Sequence, residues 1–209
     1  HQYFIGSYNT GLPVLTPVMD IHEVGTGGGS IAAVTEFGEL RVGPRSAGAA
    51  PGPACYRLGG TAPTVTDANV VLGRLSPALP LAGNLRLDEP AARAALSSCV
   101  ATPLGVSVER AAAGVVQVAN TSMAYAISAV TIERGLNPAD FALVAYGGAG
   151  PLHATQIARE LGMRTVVIPP NPGVFSAYGM LFAELQGFAS RTRITALEPA
   201  ALSALGREV

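Results

Sequence analysis

Apolar residues recur at helical spacing through the middle of the chain. Val108, Ala111, Val115, Ala119, Met123, Ile127 and Val130 fall on one helical face. Ser107 stands before them as an N-cap and Gly135 after them as a C-terminal stop. Two shorter helices are expected upstream. Thr66 or Asp67 caps one that runs through Leu72 to Gly73, and Asp88, ahead of Glu89-Pro90, caps another that reaches about Val100.

The flanks alternate differently. Val14-Leu15 and residues 18–22 read as extended, and residues 30–35 and 39–42 read as a hairpin turning through Glu36-Phe37-Gly38. A loop dense in Pro, Gly and Ala fills residues 43–60, ordered rather than a linker because it carries little polar sequence. Beyond the long helix come a strand at 141–146, a glycine turn at 147–150 and a helix at 151–161. A strand at 165–168, a turn at 169–172 and a helix at 173–184 follow. Strand, loop and helix alternating with short connections predict an α/β sheet, whose ligands sit at the carboxyl ends of its strands. The chain therefore divides into a β- and loop-rich part (1–60), a helical part (61–137), an α/β part (138–190) and a terminal segment (191–209).

Composition narrows the chemistry. Hydrophobic residues make up 49% and charged residues 13%, ample for a core, and the net charge is −1. All 13 basic residues are arginine and they are scattered, so no patch for nucleic acid exists. Without lysine the chain offers neither a Schiff-base nucleophile nor a lysine-bearing phosphate loop. Cys55 and Cys99 lie far apart in no metal-type spacing, which predicts a reducing, cytoplasmic setting. No signal peptide or apolar run of membrane length stands out, so no membrane partner is expected. The chain opens on His1 and stops at Val209 after an alanine-rich stretch, which reads as an internal piece of a longer protein.

The strongest candidate for chemistry is the apolar run Leu143-Val144-Ala145-Tyr146 delivered into Gly147-Gly148-Ala149-Gly150-Pro151. Glycines let a flat ligand approach the backbone, and a helix start presents unpaired N–H groups to an anion or polar ring edge. A tight turn with no ligand has the same local sequence. Gly27-Gly28-Gly29-Ser30 also suits backbone cradling of phosphate, or a plain turn before a hairpin. Asp20 and His22, two apart on an expected strand, share a face and are candidate metal ligands. Asp67 is a third candidate, or a helix cap. His153 in the first turn of its helix and Cys55 read first as structural groups.

Longer motifs carry a family resemblance. Asp20-Ile21-His22-Glu23-Val24-Gly25-Thr26-Gly27-Gly28-Gly29-Ser30-Ile31-Ala32, the loop from Leu40 to Tyr56, and Pro63-Thr64-Val65-Thr66-Asp67-Ala68-Asn69 resemble the hydantoinase A / 5-oxoprolinase family. Gly-Gly-x-x-Pro after the apolar strand is similar to the adenosine motif of the wider actin-like ATPase superfamily. The resemblance implies an α/β, actin-like (ribonuclease H-like) domain fragment with a hairpin-rich N-terminal part and a helical insertion. It implies ATP and a divalent metal (Mg, Mn or Zn) as cofactors, a small cyclic amide as substrate, and a hydantoinase B-type partner subunit or domain. By it, residues 147–151 line the adenosine end of ATP, and residues 27–30 with Asp20 and His22 lie near phosphates, metal or substrate. The implied activity is ATP-dependent opening of a cyclic amide through a phosphorylated intermediate. A ketone carboxylase subunit and a non-catalytic nucleotide-binding module are the alternatives. The superfamily's two Asp-x-Gly-Gly-Thr loops do not occur here, and Arg45 and Arg57 stand where the family has glutamate and glycine.

Overall fold

The computed structural model describes residues 21–81 and 83–184, with the backbone at 3–5 and 12–14. The chain divides into two compact units, one of Ile21–Leu181 and one of His1–Asp20 with Phe182–Val209. In the latter, β1 (Tyr3–Ile5) and β2 (Leu12–Val14) pair antiparallel, Tyr3 opposite Val14. Leu15 and residues 18–20, including Asp20, lie outside the described residues.

The larger unit opens without the strand expected at its start. Ile21 and His22 carry no ladder, and Ile21 is 73% exposed. A strand there has no backbone partner among the described residues, so the extended-looking run that suggested it is not sufficient. The hairpin forms as expected, β3 (Ser30–Val34) against β4 (Leu40–Ser46), with Ala32 opposite Val42 and Val34 opposite Leu40. The β4 strand continues to Ser46 because a bulge between Ser30 and Ala32 restores pairing with its far end.

Four helical segments build the core. The first, α1 (Val65–Val71), is capped by Thr64 and not by Thr66 or Asp67. Asp67 is the N3 member of a capping box: its backbone N–H donates to Thr64 Oγ1 at 3.3 Å, and Thr64 N–H donates to its carboxylate at 2.8 Å. The second, α2 (Glu89–Leu96), is capped by Asp88, which accepts Ala91 N–H at 2.8 Å. It passes through a π-helical turn at Ser97–Ala101 into the short α3 (Thr102–Leu104). The fourth, α4 (Val108–Ile132), is capped by Ser107 and closes with Leu136 N–H on the Thr131 carbonyl.

Ala111, Ala112, Val115, Val116 and Ala119 on α4 are buried against Val65, Val70, Leu96 and Val100. Small residues on α4 let α1 pack close, and fully burying each Val or Leu contributes roughly 1.5–3 kcal/mol. By length and composition α4 is apolar enough to cross a membrane, so an apolar run of that size does exist. Its face on α1, α2 and β4 makes it a core helix of this unit.

The α/β part follows. Strand β5 (Ala142–Val144) pairs parallel with β6 (Thr165–Val167), Leu143 opposite Val166, and α5 (Gly150–Glu160) connects them and packs on α4. Pro151 is second in α5, one place later than expected, and a 3₁₀ turn at Pro172–Val174 precedes α6 (Phe175–Met180). Val144 and Val167 are 48% and 44% exposed, unusual for parallel strands, which are ordinarily covered on both faces.

Candidate functional site

The two glycine loops meet. Gly28 and Gly29, ahead of β3, and Gly148 and Ala149, between β5 and α5, line one cavity of about 480 Å³. A Cβ on Gly28 would stand 3.7 Å from that of Ala149 and 2.9 Å from Thr66 Oγ1, so a side chain at Gly28 would crowd both loop and helix. The volume lies within the range of small-molecule sites. Pro53, Tyr56, Leu75, Leu81, Leu85 and Leu152 also line it, a mostly apolar surface that suits the flat face of a base.

Each loop is held from behind. The Gly28 carbonyl accepts Thr66 N–H and Thr66 Oγ1–H, both at 2.9 Å, and the Gly29 carbonyl accepts Ala47 N–H at 2.9 Å. Ser30 is 4% exposed; its hydroxyl accepts Gly27 N–H at 2.8 Å and donates to the Gly25 carbonyl. Ser30 thus shapes the turn. Gly147 takes φ +85°, and its N–H donates to the Pro172 carbonyl at 2.8 Å. Among the described residues, the N–H groups of Gly28, Gly29, Gly148 and Ala149 have no acceptor in the chain, and no side chain caps α5. Carbonyls tied down and N–H groups left over suit an electron-rich ligand.

Asp67 is fully buried, and its carboxylate accepts four hydrogen bonds. Donors are Cys55 N–H at 2.7 Å, Ala54 N–H at 3.3 Å, and Thr64 through N–H and hydroxyl, both at 2.8 Å. Of the two roles open to it, cap and metal ligand, the cap uses its oxygens. It also pins the proline-glycine loop to α1, next to Thr66. His22 is exposed. Among the described residues no group of three or more His, Cys, Asp or Glu side chains is placed to hold a metal. Burial, aided by the Asp67 carboxylate, pushes the Cys55 thiol far above its usual range, the state of an inert buried thiol. Burial likewise raises the Tyr56 phenol.

Behind the second loop lies a polar cluster. His153 and Asn120 are each 1% exposed, with His153 Nδ1 2.7 Å from Asn120 Oδ1. Asn120 Nδ2 donates to Gln156 Oε1, which also accepts from Arg74 at 3.3 Å. Burial, then the Arg74 charge, lowers the His153 pKa, so the ring is neutral. The contact between Asn120 and His153 crosses between helices and leaves no local signature in the sequence. Arg57 sits at φ +55°, where glycine is unstrained, and pairs with Asp88 at 3.0 Å.

Parallel strands, a glycine turn and an uncapped helix start opening on a second glycine loop form an α/β segment with the fold of the actin-like ATPase superfamily. Residues 2–187 match the hydantoinase/oxoprolinase family, and the chain belongs to it. It is 48% identical to the caprolactamase subunit alpha of Pseudomonas jessenii over 81% of this chain and 24% of that protein. The crystal structure of that ATP-dependent caprolactamase matches with a TM-score of 0.74 over 80% of this chain and 24% of that one. The acetophenone carboxylase gamma subunit of Aromatoleum aromaticum is 42% identical over 87% of this chain and 25% of its own length. A nucleotide-free acetone carboxylase structure matches with a TM-score of 0.68 at 34% identity, over 74% of this chain and 22% of that one. The chain thus spans about a quarter of the length of these relatives.

Proposed function

We propose that this segment holds ATP within an enzyme that opens a cyclic amide, and that the cavity between the two glycine loops is the nucleotide site. The observation that carries the reading is the convergence of Gly28 and Gly29 with Gly148 and Ala149 on one cavity. The adenosine end lies against residues 147–151 and the Leu75, Leu81 and Leu85 wall; residues 27–29 face the phosphates. Ser30 acts through the loop's shape.

A ring amide is a poor electrophile at neutral pH. Its oxygen attacks the γ-phosphorus of ATP, ADP leaves, and the activated carbon takes water. The carbon–nitrogen bond then breaks as the ring nitrogen takes a proton and leaves as an amine. A second water attacks the resulting acyl phosphate at carbon, so that phosphate departs with the former amide oxygen and a carboxylate remains. The protein's part is positioning and neutralising charge. A divalent ion would screen the phosphates. The described residues do not fit a protein-held metal site, so its ligands are ATP oxygens and groups outside them, with Asp20 one candidate. Parallel strands left uncovered at Val144 and Val167 suit a segment completed by the rest of a longer polypeptide and by a partner subunit, as in the subunit-based relatives. Free Cys55 and Cys99 suit a reducing, cytoplasmic compartment.

The likeness to acetophenone and acetone carboxylases favours a second reading, a carboxylase subunit acting on a ketone enolate. One experiment tests both. The full-length enzyme is given ATP with a lactam labelled with ¹⁸O in its carbonyl. Label recovered in inorganic phosphate supports amide activation. No lactam turnover, with bicarbonate-dependent ATP hydrolysis on ketones, replaces it with the carboxylase.

A further inference from the structure

We propose that His153 is a positioning residue for the nucleotide loop, its tautomer fixed from the surface by Arg74 through Gln156 and Asn120. The role in positioning rests on the reading of the cavity as the nucleotide site.

The direction of every bond in this chain follows from one end. A guanidinium only donates, so the Gln156 atom facing Arg74 is the oxygen, at 3.3 Å. That same oxygen accepts from Asn120 Nδ2. Asn120 therefore turns its own oxygen to His153, 2.7 Å from Nδ1. An amide oxygen only accepts, so Nδ1 carries the ring proton. Reversing Gln156 sets its amide donor against Arg74, and reversing Asn120 sets its oxygen against Gln156 Oε1, acceptor against acceptor. The neutral ring is thus the Nδ1–H tautomer, and Nε2, buried with no hydrogen-bond partner among the described residues, holds a lone pair.

The chain clips α5 to α4. His153 and Gln156 lie three apart on α5 and share a face, so Asn120 grips both. The grip falls in the first turns of α5, directly after the loop that lines the cavity. The buried surroundings are otherwise alanine and valine on α4, with Ala154, Ile157 and Ala158 on α5. An apolar pair would pack there with no polar groups to desolvate. What the polar pair adds is direction. It fixes the rotation of α5 about its axis, and with it the N–H groups of Gly148 and Ala149.

The test uses the full-length enzyme with its partner subunit. In His153→Leu we expect the KM for ATP to rise about tenfold or more with kcat changed less than about threefold, the size of effect a small misplacement of bound groups produces. His153→Asn restores a donor at the δ position, and the KM for ATP returns to within about threefold of native. Neutron diffraction of the deuterated enzyme places deuterium on Nδ1. An unchanged KM in His153→Leu, with only the melting temperature lowered, would show a merely structural link and overturn the role. A His153→Asn variant no better than His153→Leu overturns the Nδ1 donor, as does deuterium on Nε2. Photolabelling of the native enzyme with 8-azido-ATP separates the two levels. Label away from both glycine loops overturns the nucleotide site and the positioning role with it. Label there, with KM unmoved in His153→Leu, overturns the role of His153 alone.

Discussion

The carbonyl of Gly28 accepts two hydrogen bonds from one residue, Thr66, through its N–H and its hydroxyl, each at 2.9 Å. Thr66 lies in the first turn of α1, so the loop at Gly28 is seated on a core helix. Thr66→Val keeps the N–H and loses the hydroxyl, which costs about 1 kcal/mol of stability and frees one side of the loop. The KM for ATP should rise several-fold, and Thr66→Ser should restore it. Gly28→Ala drives a methyl to 2.9 Å from Thr66 Oγ1, so the loop must shift. Its KM for ATP should rise more than that of Thr66→Val, by about tenfold on the scale of small misplacements. Steady-state kinetics on the full-length enzyme decide; native KM values in both variants would remove the loop from the nucleotide site.

Asp67 is expected to matter for stability first. Its carboxylate ties Cys55, Ala54 and Thr64 into one knot, and its charge sits at the favourable end of α1. Removing it strands buried donors, a change that costs about 3–5 kcal/mol. Asp67→Ala should lower the urea midpoint accordingly, and hydrogen exchange should quicken across residues 52–57. Full stability with lost metal content would instead return Asp67 to the metal site.

How much of this was readable in the chain depends on how local each interaction is. The caps at Asp88 and Ser107 act within one turn, and their sequences announce them. The hairpin announced itself through alternation and a glycine turn. Thr64 escaped notice because Thr66 and Asp67 also suit a cap, and only the reciprocal bond between Thr64 and Asp67 separates them. The strand expected through His22 rested on a short extended-looking run alone, and a strand also needs a partner. Gly28 and Gly148 were each legible as loop glycines, whereas their meeting is a property of how α1 and α5 pack on α4. Asn120 and His153 show the limit most clearly. Each is a lone polar residue on a helix, and only the packing of α4 against α5 makes them a pair.

His153 should make stability depend on pH in one direction. Burial and the nearby Arg74 charge hold its pKa below the usual imidazole value of about 6.5. Above that pH the ring is neutral in both folded and unfolded states and contributes no slope. As pH falls below about 6.5 the unfolded chain takes up a proton that the folded protein refuses, so stability is lost on acidification until the folded pKa is reached. Urea unfolding of the native enzyme and His153→Asn between pH 8 and pH 5 (a window chosen to stay above most carboxylate titration, about pH 4) isolates the contribution. The native curve should fall more steeply than the variant's; parallel curves, or a native protein that gains stability on acidification, would rule out a neutral buried ring.

Gly147 and Gly148 are adjacent yet should fail in different ways. At φ +85° Gly147 holds a conformation that a Cβ disfavours by about 1–2 kcal/mol, so Gly147→Ala should lower the melting temperature before any ligand is added. Around Gly148 an added Cβ meets nothing within 4 Å, and the residue lines the cavity. Gly148→Val should therefore leave stability within about 0.5 kcal/mol, as surface changes generally do. The space it fills is space the nucleotide needs. Its affinity for ATP should fall about tenfold or more, an amount equal to about 1.4 kcal/mol of binding. Calorimetric titration of the full-length enzyme with ATP, beside thermal unfolding of the same samples, gives both quantities for both variants. If Gly148→Val binds ATP as tightly as the native enzyme, the room beside Gly148 is not where the nucleotide sits. The turn would then be a device for passing the chain from β5 into α5, with no ligand to serve.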